Sequence, residues 1–275
     1  MLVGAAPTLK KCTTSWSLFP PQTKEIQLDE KWNFVGKKEK TIKMGVAEEP
    51  LKGDNWDHTA IDAESRLLLS LIPGKRTAEN CVKLVEDVKN RTGKRTDILF
   101  TSDEHAPYVK AIEKAYGIEV AASKKPGIGR SPNPRLQMPS DLCYATVKKT
   151  RKNGKVVKVE RTLVFGTWLL LFLYLLYSSV SKVINTSFVE RNNGTDRGKN
   201  ARKQRKTLCF SKDWETHNAL SYFVGFSYNF LWPVRTLALK GLDGKTMQRT
   251  PAMAAGLTDH IWTLKEWCTF PVPDS

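Results

Sequence analysis

The sequence predicts an α/β domain in which a mixed sheet is flanked by helices and followed by a helical C-terminal region. Three observations carry this. Short β-prone runs between residues 25 and 103 are interrupted by one stretch of helical periodicity and followed by another. Two further β-prone runs flank Asn153-Gly154, the strongest two-residue hairpin signal. From residue 185 onward helical patterning dominates. The chain accordingly divides into an N-terminal arm (1–24), a sheet-forming domain (25–232) and a C-terminal tail (233–275).

Element by element, EIQLDEKWNFVG (25–36) alternates loosely between apolar and polar residues and reads as a strand. HTAIDAE (58–64) and RLLLSLI (66–72) follow as a hairpin closed by the Pro73-Gly74 turn signal. Thr77 caps a helix with apolar positions at Cys81, Leu84, Val85 and Val88, ending at Gly93. DILFTSD (97–103) is a short buried strand ending in an acid, and PYVKAIEKAYG is a helix opened by Pro107 and closed by Gly117. The Pro-, Gly- and Lys-rich stretch 123–139 reads as a surface connector. A basic hairpin (144–165) carries seven Lys and Arg between Lys148 and Arg161. The segment 163–181 holds no charge, and its dense part, Trp168 to Tyr177, suits a buried core helix; a membrane span is the competing reading. Residues 185–206 form a basic helix despite Gly194 and Gly198, and a last long helix ends before Pro233.

Composition narrows the partners. With 44 Lys and Arg against 28 Asp and Glu, the 275-residue chain carries a formal charge of +16, as expected for binding a polyanion. Nucleic acid comes first and an anionic membrane surface second. A hydrophobic content of 40% argues against intrinsic disorder. The five cysteines (Cys12, Cys81, Cys143, Cys209, Cys268) lie far apart without a C-x-x-C pair, so they read as reduced thiols in a cytosolic protein.

Chemistry is expected where strands end in acids. Asp29 and Asp103 form the natural pair for holding Mg2+ through oxygen ligands, and Asp62 competes for the first role. Arg202, Lys203, Arg205 and Lys206 form the densest cationic cluster, and Lys148, Lys149, Arg151 and Lys152 form a second on the hairpin; both suit phosphate contacts. Glu190, Asn193 and Arg197 share one helical face, so Arg197 either touches phosphate or pairs with Asp196 or Glu190. Trp32, Trp56, Trp214 and Trp232 are assigned to the core. His105 is placed near the site, while His58, His217 and His260 read as structural.

The order strand, strand, strand, helix, strand, helix is that of a ribonuclease H-like fold. Four blocks in matching order, LDEKWNFVGKKEK (28–40), TAIDAESRLLLS (59–70), TSDEHAPY (101–108) and NTSFVERNN (185–193) with its downstream continuation, resemble transposases of the bacterial insertion sequence 1 family. That resemblance implies a DDE catalytic triad of Asp29, Asp103 and Glu190. It further implies two Mg2+ ions, replaceable by Mn2+, that serve phosphodiester cleavage and strand transfer. The implied partners are DNA, at element ends and target, and further copies of the chain, in the cytoplasm at the nucleoid. The family's N-terminal DNA-recognition region has no counterpart ahead of Asp29, and Glu104 stands where a small residue is common. An inactive DNA-binding remnant, or a basic protein anchored in a membrane through 163–181, are the alternatives.

Overall fold

The computed structural model describes residues 22–41, 51–120, 135–241 and 244–270. Cys12, most of the N-terminal arm and the greater part of the 123–139 connector lie outside the described residues. Among the described residues there are ten strands: β1 (Glu25–Val35), β2 (Gly53–Asp62), β3 (Leu68–Gly74), β4 (Leu99–Asp103), β5 (Ile118–Val120), β6 (Arg135–Gln137), β7 (Cys143–Lys152), β8 (Lys155–Phe165), β9 (Leu239–Lys240) and β10 (Thr246–Met247). Seven helices accompany them: α1 (Ala78–Arg91), α2 (Pro107–Tyr116), α3 (Trp168–Tyr177), α4 (Ser187–Lys199), α5 (Trp214–Leu231), α6 (Pro251–Ala254) and α7 (Leu264–Thr269).

Six strands form one mixed sheet in the order β3-β2-β1-β4-β7-β8. The first three run as an antiparallel meander, β4 and β7 lie parallel to their neighbours, and β8 returns antiparallel. This is the ribonuclease H-like mixed sheet flanked by helices. Local signals account for much of it. Thr77 caps α1 by accepting from Asn80 N, and Cys81, Leu84, Val85 and Val88 are buried at helical spacing. At the β7–β8 turn Asn153 (φ 50°) and Gly154 (φ 77°) both adopt positive φ, as a type I′ turn requires.

The central strand β1 presents different chemistry on its two faces. Ile26 and Leu28 join Phe100, Tyr144, α1 and α2 in the main core. The other face carries Glu25, Gln27, Asp29 and Lys31, all covered by α4 or the segment leading into it. Lys31 and Lys203 both pair with the fully buried Asp57, at 3.1 and 2.6 Å, and Lys31 also bonds Asp196. Burial alone would raise the Asp57 carboxyl, but the ammonium groups of Lys203 and Lys31 overcome it and hold it below the usual carboxylate range.

Three expectations change. The turn between β2 and β3 is made by residues 63–67, capped by Asp62, while Pro73-Gly74 closes β3 itself, and β2 starts at Gly53 rather than His58. The apolar helix α3 is not a core helix: only Leu171 is buried, and Trp168, Leu169 and Tyr177 are 64%, 69% and 75% exposed. Being apolar on every side, a ten-residue helix resting on the sheet leaves most of its surface uncovered. No helix of the described residues is long and apolar enough to cross a membrane. Residues beyond 232 pack back on α5, with Ala252 and Trp267 joining Tyr222 and Phe230 in the main core.

Removing Asp57 strands the buried Lys203 ammonium and leaves Lys31 with Asp196 alone. Asp57→Ala is expected to lower the unfolding free energy by about 3–5 kcal/mol in urea, and adding Lys203→Met to recover part of that loss. A loss below about 1 kcal/mol would show that the network does not hold the sheet and α4 together.

Candidate active site

Strand register brings the first two acids level. β1 and β4 run parallel with Leu28 opposite Ser102, so Asp29 and Asp103 are next in the same row. Asp29 accepts from Asn193 Nδ2 of α4 at 2.7 Å and from the Glu30 backbone N–H at 2.9 Å. Asp103 accepts from the His105 N–H at 3.2 Å. Carboxylate oxygens of Asp29, Glu30 and Asp103 all lie within 4.8 Å of one another. Burial, then the charges of Asp103 and Glu30, push the Asp29 carboxyl up to about 7; burial and Glu30 also raise Asp103. Crowded oxygen ligands whose mutual repulsion a cation would relieve fit a hard divalent ion.

Glu190 stands in the first turn of α4, across a cleft of about 390 Å³ that it lines together with Asp103, His105, Lys149, Arg151 and Thr186. It accepts from Thr186 Oγ1 at 2.7 Å and pairs with Lys149. Burial raises its carboxyl, but these two partners outweigh burial and leave it below the ordinary range. Glu190 is therefore near enough to add its charge to Asp29 but stands outside the three-acid group. Asp62 is occupied elsewhere: it accepts from Thr23 Oγ1 at 2.6 Å, from Ser65 N at 3.1 Å and from the Ser65 hydroxyl, as the cap of its turn.

Glu30 is the acid that sequence reasoning missed. Strand alternation assigns it to the face opposite Asp29, and only the Asp-Glu doublet hinted at it. Its side chain is 1% exposed and pairs with Arg76 at 2.9 Å.

The cationic clusters separate into two kinds. Lys203, expected on DNA, is buried against Asp57 and cannot reach a phosphate; the charge run around it hid an inward-facing residue. Arg197 is half-buried and donates to the Trp32 carbonyl at 3.2 Å, so neither Asp196 nor Glu190 holds its guanidinium. Lys148 pairs with Glu104 at 2.9 Å and Lys149 with Glu190. Arg151, Lys152, Arg205 and Lys206 are exposed, with Arg202 partly so. Trp232 is not a core residue either: it is 42% exposed, with Lys199 Nζ 3.1 Å from its ring centroid. Trp32, Trp56 and Trp214 are partly buried. His58 and His217 bond the Ile72 carbonyl and Ser211 hydroxyl, whereas His260 does have acidic partners, Asp259 and Glu266.

No protein-family model and no curated protein matches the chain. Among solved structures it is similar in part to three Mos1 transposase assemblies. They are a paired-end complex with the left transposon end (13% identity, 41% of this chain and 39% of that one, TM-score 0.22), a pre-cleavage transpososome (14%, 42% and 40%, 0.23) and a strand transfer complex (14%, 41% and 37%, 0.23). The chain thus spans about two fifths of the length of each, and a likeness this distant carries no functional argument.

The raised carboxyl of Asp29 has a pH signature. In metal-free protein the folded state keeps a proton that the unfolded chain, with its ordinary value of 3.8, has already released. Stability therefore falls as pH rises from about 4 to about 7 and stays low above it. Asp29→Asn is expected to stabilise the metal-free protein at pH 8 by about 1–3 kcal/mol and to change little at pH 4. Denaturation in chelator at both pH values measures this, and an equal effect at both would show that the Asp29 carboxyl is not raised.

Proposed function

We propose that this chain is the catalytic domain of a DDE-type DNA transposase of the insertion sequence 1 kind, cutting and joining DNA strands with Asp29, Asp103 and Glu190 as its catalytic acids. The observation that carries the reading is the convergence of Asp29 and Asp103 from adjacent parallel strands on a ribonuclease H-like sheet, with Asn193 of α4 bonded to Asp29 and Glu190 of the same helix across the cleft. Two divalent ions, Mg2+ or Mn2+, would be held by these carboxylates and would supply Lewis-acid activation for in-line attack on a phosphodiester. The chain's own residues do the positioning. Asn193 fixes the Asp29 rotamer, and Lys149 neutralises Glu190 until the acid is needed as a ligand. Arg151 extends the basic hairpin over the cleft, where a phosphate would sit. DNA, as element ends and target, is the partner, bound by an oligomer of the chain in the nucleoid-containing cytoplasm.

Nicking of supercoiled DNA tests the chemistry. Wild-type protein with Mg2+ or Mn2+ is expected to nick, and Asp29→Asn, Asp103→Asn and Glu190→Gln to slow nicking by roughly 10²–10³-fold or more while remaining folded. Activity surviving Asp29→Asn but lost in Asp62→Asn would reassign the first acid. Tight DNA binding with no nicking in any metal would identify an inactive remnant.

Binding should be to phosphates alone. With Lys203 withdrawn, about 4–6 phosphate contacts are expected, giving a slope of log affinity against log salt of roughly −4 to −5. Replacing Arg202, Arg205 and Lys206 with Ala should flatten it by about 2–3 units, equally for random and element-end DNA. Anisotropy across a salt series measures both, and a marked preference for element ends would mean that the domain reads sequence.

A further inference from the structure

A second set of metal-ligating side chains lies on the far side of β1. Glu30 turns toward α1 and α2, where it meets Cys81 of α1 and His105 of the β4–α2 connection; one ligand atom from each lies within 4.8 Å of the other two. Glu30 Oε2 is held by Arg76, but its buried Oε1 has no hydrogen-bond partner, nor does the buried Nε2 of His105. Cys81 is a free, fully buried thiol. The Tyr108 hydroxyl is buried beside the same group, close enough to interact with Glu30 and Cys81. Buried polar atoms left unpaired are costly, and native proteins leave few of them. Two such atoms facing one buried sulfur are the form of an incomplete coordination shell.

We propose that Glu30, Cys81 and His105 bind a thiophilic divalent cation of the zinc class. The donor set decides the class: thiolate and imidazole suit Zn2+ and its relatives, whereas Mg2+ demands oxygen. Binding releases the Cys81 proton to solvent, leaving thiolate, carboxylate and a neutral imidazole around the ion. The thiolate and the carboxylate would then oppose the two positive charges of the ion, as a buried cation requires. Three protein ligands would leave one position of a tetrahedral shell open. The ion would pin α1 and the β4–α2 connection to β1 and draw Glu30 away from Asp29 and Asp103, leaving those two to the hard cation. This site rests on its own ligands and stands whether or not the chain cuts DNA.

Co2+ is the probe, with the full-length chain carrying Ser in place of Cys12, Cys209 and Cys268. One equivalent of Co2+ is expected to give a thiolate-to-cobalt charge-transfer band, displaced by Zn2+ and unaffected by excess Mg2+. Cys81→Ser should abolish the band, His105→Ala should weaken Co2+ binding by at least about 10-fold, and Asp29→Asn should leave it intact. Zn2+ should also raise the melting temperature of the parent but not of Cys81→Ser. Absence of the band, its survival in Cys81→Ser, or its displacement by Mg2+ would overturn the site. If Cys81→Ser does not fold, His105→Ala decides alone: unchanged Co2+ affinity overturns the proposal.

Discussion

The geometry of the acidic cleft depends on how α4 is held against β1, and buried charge does most of the holding. Lys31 of β1 bonds Asp196 of α4 and Asp57 of β2, and Asp57 in turn bonds Lys203 just beyond the helix. At the other end Gln27 Oε1 accepts from the backbone N–H groups of Phe188 and Val189, at 2.9 and 3.2 Å, satisfying donors that a helix start leaves open. Between these anchors Asn193 reaches Asp29. Two residues of strand advance about 6.6 Å and one helical turn about 5.4 Å, so a strand and a helix laid side by side stay roughly in step over three rungs. The rungs used are Gln27, Asp29 and Lys31. Glu190 lies on the first turn of the same helix, so its position across the cleft follows from this register.

Such a polar ladder stabilises weakly for its size, because burying charge offsets much of what pairing gains. Its contribution is to specify one arrangement. A sliding or rotated α4 would separate Asp196 from the buried Lys31 ammonium, which apolar packing alone would not penalise so sharply. The molecule thus keeps an acidic pocket, with its own internal repulsion, inside a chain of formal charge +16, and the positive groups of the β7–β8 hairpin stand at its rim.

Signals that act over a few residues were legible in the sequence. The Thr77 cap, the Asn153-Gly154 turn and the spacing of Cys81, Leu84, Val85 and Val88 all correspond to what forms, because each is decided within one or two turns of chain. Asp103 at the end of β4 was legible in the same way, whereas its alignment with Asp29 is made by the distant pairing of β1 with β4. What escaped depends on distant partners. Lys203 reads as one more member of a basic run, and only Asp57, 146 residues earlier, makes it a buried group. Glu30 was hidden by the alternation that normally separates neighbours on a strand. The segment around α3 looked buried because it is apolar, yet burial needs a covering layer, and no local pattern says whether one exists.

The long reach of the ladder also bears on the order in which the molecule becomes itself during synthesis. Every contact that orients Asp29 from α4 spans about 160 residues or more, from Gln27–Phe188 to Asp29–Asn193. A nascent chain can complete the β1–β3 meander and α1 long before α4 has left the ribosome, but until then Asp29 has only the Glu30 N–H to orient it, and Lys31 and Asp57 lack their later partners. The acidic cleft is therefore among the last features to assemble, and a translation product cut short before α4 emerges carries Asp29 and Asp103 without the helix that faces them.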